Sequence, residues 1–527
     1  MSTEKIEESN KFTEKDVPIK ARAKLVGISM ALFAAFGGFL YGYDTGYISG
    51  TKEMAYWLQL FGEQDLNGNY VLSTANDSLV TSILSVGTFS GALLAFPVGD
   101  ILGRRWGIIF ACFIFSIGIA IQTASTNVPV FAVGRVLAGL GVGLTSCLVP
   151  MYQSECSPKW IRGAVVACYQ WAITIGLLVA AIIVQLTKDI NSASCYRIPI
   201  GLQFIWAFIL SIGLYFLPES PKYLILKGHK QEAMNSLGRL LSLSTNSEPV
   251  QKEYDEVNDS LKKENALASF TYLDCFRSGP GKYRLRILTG IALQALQQLS
   301  GINFIFYFGT TFFRNSGISN PFLTTIITNA VNVGMTIPGI WLVDRAGRRS
   351  LLLIGAAVMC ACEFIVAIVG ASVETSNTSG QRVLIAFVCI YIGAFAATWG
   401  PIAWVVTGEI YPLAIRAKGM SLSTASNWAF NFAIGYSTPY LVDIGPGKAG
   451  LQSKVFFIWG AFCALCFIFT FFFIMETKGL SLEQVDQLYI NSSIIGSNAY
   501  QRKILGSKKN LPNKTDFTKA KTQNECC

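Results

Sequence analysis

The sequence predicts an all-α membrane protein: twelve transmembrane helices in two pseudo-symmetric six-helix bundles, with short helices in the loop between them. Three observations point there. The 527 residues are 52% hydrophobic and 14% charged, with mean hydropathy +0.44, whereas soluble domains are about 25% charged. Apolar stretches of about 20 residues, enough to cross a ~30 Å hydrocarbon core, recur twelve times. Two charged motifs each occur once per half. The same composition excludes a disordered tail protein, a collagen and a small disulfide scaffold.

The spans read as 25–48, 79–99, 106–124, 130–151, 164–186, 199–217, 287–312, 321–343, 351–373, 383–407, 417–440 and 455–475. The first is too long for a signal peptide and follows a 24-residue polar leader. The expected order is therefore a cytosolic leader 1–24, a bundle 25–217, a cytosolic linker 218–286, a bundle 287–475 and a cytosolic tail 476–527. Runs at Gln231–Leu241 and Val250–Leu261 predict short surface helices in the linker. The polar, Lys-rich tail is expected to be disordered. It ends in Cys526-Cys527, read as a reduced cytosolic end, with lipidation the alternative. The 13 Cys are scattered and read as small core residues. The single histidine, His229, excludes a His-based metal site or catalytic triad within a span. With no nucleotide-binding loop, the sequence predicts no enzyme, no metal and no cofactor.

Orientation follows from the cations. Of the 42 Lys and Arg, 34 fall in 1–24, 104–105, 159–162, 219–286, 345–349, 416–418 and 476–527, and seven in the alternate loops. Positive charge stays inside, so both termini are expected in the cytosol. The net charge of +10 then reflects basic loops facing anionic lipid, and no nucleic acid is implied. The sequons at Asn76 and Asn377 fall in expected outer loops and are candidate glycosylation sites.

The halves echo each other. Asp100-Ile101-Leu102-Gly103-Arg104-Arg105 recurs as Asp344-Arg345-Ala346-Gly347-Arg348-Arg349, an offset of 244. Glu155, Pro158 and Arg162 recur as Glu409, Pro412 and Arg416, an offset of 254. Each set puts Arg beside helix ends with a Glu in reach. Partly desolvated ion pairs break when helices move, so the duplicated set suits a cytosolic latch between the bundles. The competing reading is plain topogenic charge.

Neutral amides stand inside the spans: Gln170 in span 5, Gln297, Gln298 and Asn303 in span 7, Asn332 in span 8, Asn427 and Asn431 in span 11. Amides both donate and accept, so they suit a neutral polar solute better than a charged group would. Gln297 and Asn303 do not share a face of an ideal helix, but Ser300-Gly301 allows a break. Trp404 follows the helix-breaking pair Gly400-Pro401 in span 10. The competing reading is interhelical hydrogen bonding; six amides in three spans of the second half exceed that need. Three ionisable residues lie within spans: Asp44, Arg135 and Glu363. A charge there costs at least ~2.5 kcal/mol, so Asp44 and Arg135 are expected to pair. Glu363 has no obvious partner and receives no function.

Together with Pro218-Glu219-Ser220-Pro221-Lys222, Gln297-Gln298-Leu299-Ser300-Gly301-Ile302-Asn303 and Met475-Glu476-Thr477-Lys478-Gly479, these residues resemble the sugar porter family of the major facilitator superfamily. The stretch Thr398–Pro412 with Ser426-Asn427-Trp428 is most similar to fungal high-affinity glucose transporters. The resemblance implies a solute site between two rocking bundles. It implies sugar contacts at Gln170, Gln297, Gln298, Asn303, Asn332, Trp404 and Asn431, with Asn427 and Trp428 beside them. It also implies a coupling pair in which Asp44 carries a proton and Arg135 tunes it. Tyr307 and Phe308 stand at the family's extracellular gate, where a second Tyr is usual. Ala396 replaces a frequent Glu, Tyr41 a usual Phe and Met475 a usual Pro. The expected function is monosaccharide transport, glucose and related hexoses, by proton symport in the plasma membrane, with one chain as the transport unit. The alternatives are a facilitator, a porter for pentose, galactose, polyol or quinate, and a glucose receptor. Such receptors usually carry a long tail, whereas segment 476–527 has 52 residues.

Overall fold

The computed structural model describes residues 27–509, apart from 31, 66–67, 158–161, 267–271, 280, 319, 374–376, 413–414, 481 and 495. The leader 1–24, Pro158, the Arg162 side chain and Cys526-Cys527 lie outside the described parts. Span 1 is Phe36–Thr51, span 2 Thr74–Ile101, span 3 Arg104–Ala124, span 4 Val128–Cys156 and span 5 Arg162–Thr187. Span 6 runs as Ser194–Gly201 and Gln203–Phe216. Span 7 is Tyr283–Leu299 with Ile302–Asn315, span 8 Pro321–Ala346 and span 9 Arg348–Ser372. Span 10 is Thr378–Ala397 with Trp399–Ile410, span 11 Arg416–Val442 and span 12 Val455–Phe473.

Local chemistry sets the ends. Asn127 and Asn320 each accept from a backbone N–H three residues on, with Pro in the first turn. Among the described residues, nine helices are long and apolar enough to cross a membrane. The three spans that miss this criterion are 1, 7 and 11, which hold Asp44, Gln297, Gln298, Asn303, Asn427 and Asn431. Span 1 misses on length, its described helix having 16 residues, while span 7 is interrupted and span 11 polar where the candidate site lies. The surface fits a lipid solvent: Leu186, Phe208 and Phe216 are 75%, 66% and 66% exposed.

Spans 1 to 6 pack as one bundle and spans 7 to 12 as the other. They meet chiefly along spans 2 and 11 and spans 5 and 8. Ser300-Gly301 is a break, with Gly301 at φ +89°. Span 10 breaks at Thr398 and not at Gly400-Pro401, which sit inside its second segment. The reason is that a Pro ring clashes with the carbonyl four residues before it, here Ala397, so the helix yields upstream.

Helices Lys230–Leu241 and Glu248–Ala266 occupy the linker. The tail departs from expectation. Leu482–Asn491 and Ser497–Lys509 are helical, with Val485, Leu488 and Tyr489 buried. That spacing gives one apolar stripe, which docks with the help of an Arg286–Asp486 ion pair.

Candidate functional site

The break in span 7 faces span 11, and the amides there form one connected network. Asn427 is its hub: Nδ2 donates to Gln294 Oε1 at 2.7 Å and Gln297 Oε1 at 2.9 Å, and Oδ1 accepts from Gln298 Nε2 at 2.9 Å. Gln298 Oε1 accepts from Asn303 across the break and from Asn431 at 3.3 Å. Asn431 Oδ1 accepts from Tyr307 at 3.0 Å and, across the bundle interface, from Ser85 at 2.6 Å. Gln297 Nε2 donates to the Trp399 and Gly400 carbonyls at 2.9 and 3.0 Å, tying the breaks of spans 7 and 10 together. Gln294, 0% exposed, and Ser85 are members that the sequence reading missed. Gln294 could have been found, since it lies one turn before Gln297 and Gln298. A lone Ser in an apolar helix carries no signal.

Other groups are not engaged. Asn332 is buried, with an Oδ1 that has no partner among the described residues, and so is the Trp428 indole nitrogen. Gln170 and Trp404 are half-buried, with no side-chain hydrogen bond among the described residues. The Tyr41 ring meets Trp428 edge-on at 5.2 Å, one aromatic from each bundle.

Asp44 and Arg135 do meet. Their ion pair is 3.8 Å long and both side chains are fully enclosed. Arg135 also donates to the Asp44 carbonyl at 3.4 Å and to the Tyr47 hydroxyl at 3.2 Å. The Asp44 carboxylate oxygens accept no hydrogen bond among the described residues. The pair is longer than a hydrogen bond and is held by Coulomb attraction, with the Gln203 amide of span 6 beside the carboxylate.

At the face opposite the basic loops the bundles are clasped. Ser49 meets Thr310 at 3.2 Å, Glu53 bonds Thr311 and pairs with Arg314 at 2.5 Å, and Thr74 donates to Asp443 at 2.6 Å. Lys52, paired with Asp77 at 2.7 Å, lies 3.7 Å over the Phe308 ring. Tyr307 joins the amide network instead, so the two expected gate aromatics have separate partners.

The first arginines of the duplicated motifs make matching contacts at the basic face. Arg104 donates to the Gly99 carbonyl at 3.1 Å and to Glu155 at 3.2 Å; Arg348 donates to the Val343 carbonyl at 3.0 Å and to Glu409 at 2.9 Å. Arg105 reaches the Leu217 carbonyl and Arg349 the Phe471 carbonyl. The Arg104–Glu155 and Arg348–Glu409 ion pairs thus each join neighbours inside one bundle. The cause is local: each Arg opens the helix beside the span that ends in its Glu. Arg416 turns back onto the Tyr411 carbonyl at 3.2 Å. Glu219 accepts from the Arg104 and Arg105 backbone N–H groups at 3.0 and 3.1 Å, and Glu476 from those of Arg348 and Arg349 at 2.9 and 3.1 Å. Carboxylates at helix N-termini are favourable. Burial pushes the Glu219 carboxyl up, against the pull of these N–H groups.

The two sequons differ. Asn377 is exposed, and its side-chain Oδ1 accepts from the Ser379 and Gly380 N–H groups to cap span 10. Asn76 is half-buried in the first turn of span 2, and its Ser78 is 0% exposed.

A family model described as sugar (and other) transporter matches residues 30–489. The chain belongs to this sugar transporter family. Within the curated members, it is 50% identical over 469 residues to a major facilitator-type transporter of Aspergillus rugulosus, covering 87% of this chain and 86% of that one. It is 43% identical over 475 residues to a high glucose sensor of Saccharomyces cerevisiae, 90% of this chain but 62% of the sensor's length. It is 37% identical over 481 residues to a low-affinity glucose transporter of that yeast, 90% of this chain and 84% of that one. The solved structure of the proton:xylose symporter XylE bound to 6-bromo-6-deoxy-D-glucose matches at TM-score 0.73 and 28% identity, over 88% of this chain and 99% of that one. This sugar transporter is therefore a twelve-span major facilitator fold and not an enzyme.

Proposed function

We propose that the protein carries glucose and related hexoses across the plasma membrane with high affinity, by alternating access and proton symport, one chain being the transport unit. The observation that carries this is the amide network spanning the breaks of spans 7 and 10 and crossing to Ser85 of the other bundle. Its members exchange partners with sugar hydroxyls at little net cost, since a hydrogen bond lost inside is replaced by one to solute. Asn332 Oδ1, Gln170 and Trp404 supply groups that have no hydrogen bond to give up among the described residues. The basic face is the cytosolic one, the observed clasp closes the outer side, and the paired arginines hold each bundle rigid as the clasp opens.

The enclosed Asp44–Arg135 pair is the coupling element. Its length makes the carboxylate easy to neutralise once Arg135 moves away. Proteoliposomes holding the purified chain are expected to accumulate labelled D-glucose under an inward proton gradient. Asp44→Asn is expected to abolish accumulation while keeping glucose exchange. Equal accumulation by both would defeat the coupling, and no uptake at any glucose concentration would defeat the transport reading.

The sensor relative at 43% identity favours a second reading, a glucose receptor on the same fold. Labelled glucose uptake in a host that lacks hexose transporters separates the two. On glycosylation, Asn377 is the better acceptor of the two sequons.

A further inference from the structure

Glu363 of span 9 is 1% exposed, and neither carboxylate oxygen has a hydrogen bond among the described residues. It packs toward span 12, where a Cβ on Gly460 would stand 3.4 Å from its own Cβ. The groups that act on it are the Tyr391 hydroxyl of span 10, Cys463 of span 12, and Cys360 and Cys362 of its own span; no Lys or Arg is among them. A bare carboxylate in such a place has no counter-ion among the described residues to offset its burial.

Two of these neighbours converge on one atom. The Tyr391 hydroxyl donates to the Ser300 carbonyl at 2.8 Å, and the Cys463 thiol approaches it at 3.7 Å. In an unbroken helix that carbonyl would accept from the Phe304 N–H. Here Phe304 donates to the Gly301 carbonyl at 3.0 Å instead. The break in span 7 thus orphans the Ser300 carbonyl, and a side chain from span 10 replaces the lost bond. Gln297 and Gln298 lie just before this point, Asn303 and Tyr307 just after.

We propose that Glu363, as the uncharged acid, and Tyr391 form a strut behind the break. The Glu363 O–H donates to the Tyr391 oxygen, and the Tyr391 O–H donates to the Ser300 carbonyl. The strut fixes the angle between the two halves of span 7, and so how well the amides on either side grip a monosaccharide. Glu363 is a positioning residue: it acts through Tyr391 and touches no solute. The claim about affinity rests on the hexose reading above; the claim about the strut does not.

The test uses the full chain in proteoliposomes with Glu363→Gln, Glu363→Leu and Tyr391→Phe. Two quantities are read between pH 5 and 8: backbone hydrogen exchange over residues 299–306, and the KM and maximal rate of D-glucose uptake. Glu363→Leu and Tyr391→Phe are each expected to raise exchange and KM about five- to tenfold, the worth of one hydrogen bond, with the maximal rate within about twofold. Glu363→Gln, which can still donate, is expected to match the wild type at every pH. The double variant Glu363→Leu/Tyr391→Phe is expected to go no further than Tyr391→Phe alone. The proposal is overturned if Gln behaves like Leu, or if Leu and Phe leave exchange unchanged. If Glu363→Leu does not fold, Tyr391→Phe with Glu363→Gln decides by the same measure. If exchange responds as stated but the wild type takes up no glucose, the hexose reading fails and the strut stands.

Discussion

The amide network separates two kinds of residue that look alike in the sequence. Asn427 makes three hydrogen bonds within the protein, while the Asn332 oxygen makes none among the described residues. Asn427→Ala leaves Gln294, Gln297 and Gln298 each short of a partner. Buried hydrogen bonds between membrane helices average about 0.6 kcal/mol, so three sum to about 2 kcal/mol. Felt wholly in substrate affinity, that is about a 30-fold rise in KM; felt in the fold, it lowers thermal stability. Asn332→Ala removes no protein bond. It is expected to leave the unfolding temperature in detergent unchanged and to raise the glucose KM about fivefold, for one bond of about 1 kcal/mol. Both variants are to be assayed by labelled glucose uptake in transporter-deficient cells and by thermal unfolding of purified protein. If Asn332→Ala lowers the melting temperature as much as Asn427→Ala and leaves KM alone, the amides are structural glue and the site reasoning is refuted.

Four further outcomes are expected. Gly103→Ala and Gly347→Ala, at φ +88° and +94° with a Cβ that would meet Glu219 or Glu476 at 2.6 or 2.5 Å, are each expected to cost about 1–3 kcal/mol, read as a lowered unfolding temperature. Glu53→Gln removes the ion pair with Arg314 and is expected to open the outer face. A cysteine placed at Ser49 should then react faster with a membrane-impermeant maleimide, and an unchanged rate would count against the clasp. Asn377→Gln is expected to abolish a glycan-dependent mobility shift that Asn76→Gln preserves. Deleting the tail from Leu482 removes Leu488 and Tyr489, uncovers the surface they pack on and strips Arg286 of the Asp486 carboxylate, so expression and thermal stability should fall, whereas a neutral result would make the docked helices dispensable.

Much of the fold was legible because hydropathy and cation placement act locally. Span order, duplicated motifs and the Ser300-Gly301 break all follow from residues close together in sequence. What escaped depends on contacts between distant elements. The tail helices are polar overall and hold only because Val485, Leu488 and Tyr489 find a surface. The break in span 10 falls three residues before Pro401, since the clash of a Pro lies upstream of the Pro itself. Glu219 and Glu476 were visible as motif letters, but their work on the helix N-termini of spans 3 and 9 is a three-dimensional fact. That Arg104–Glu155 and Arg348–Glu409 each pair inside one bundle was equally invisible.

That pairing has an energetic consequence. Inside each bundle a nearly enclosed Arg is fixed by a carboxylate and a backbone carbonyl, and a second carboxylate caps its helix. Hydrogen bonds to charged groups are worth about 1.5–3 kcal/mol each, so each knot resists several kcal/mol of strain. Between the bundles, the outer clasp consists of a few neutral or single-charge hydrogen bonds and one partly exposed ion pair, Glu53–Arg314, with Arg314 43% exposed. Exposed pairs contribute about 0–1 kcal/mol, and the neutral bonds about 1 each. The clasp therefore totals a few kcal/mol. Moving a two-state equilibrium from 1:99 to 99:1 takes about 5.5 kcal/mol of differential binding, a quantity that several hydroxyl-to-amide bonds at about 1 kcal/mol each can supply. The weak plane thus runs between the halves, and the Ser85–Asn431 bond crosses it at the network itself. Under the proposed function, a solute taking over Asn431 would loosen the same plane it must pass through, making binding and rocking one event.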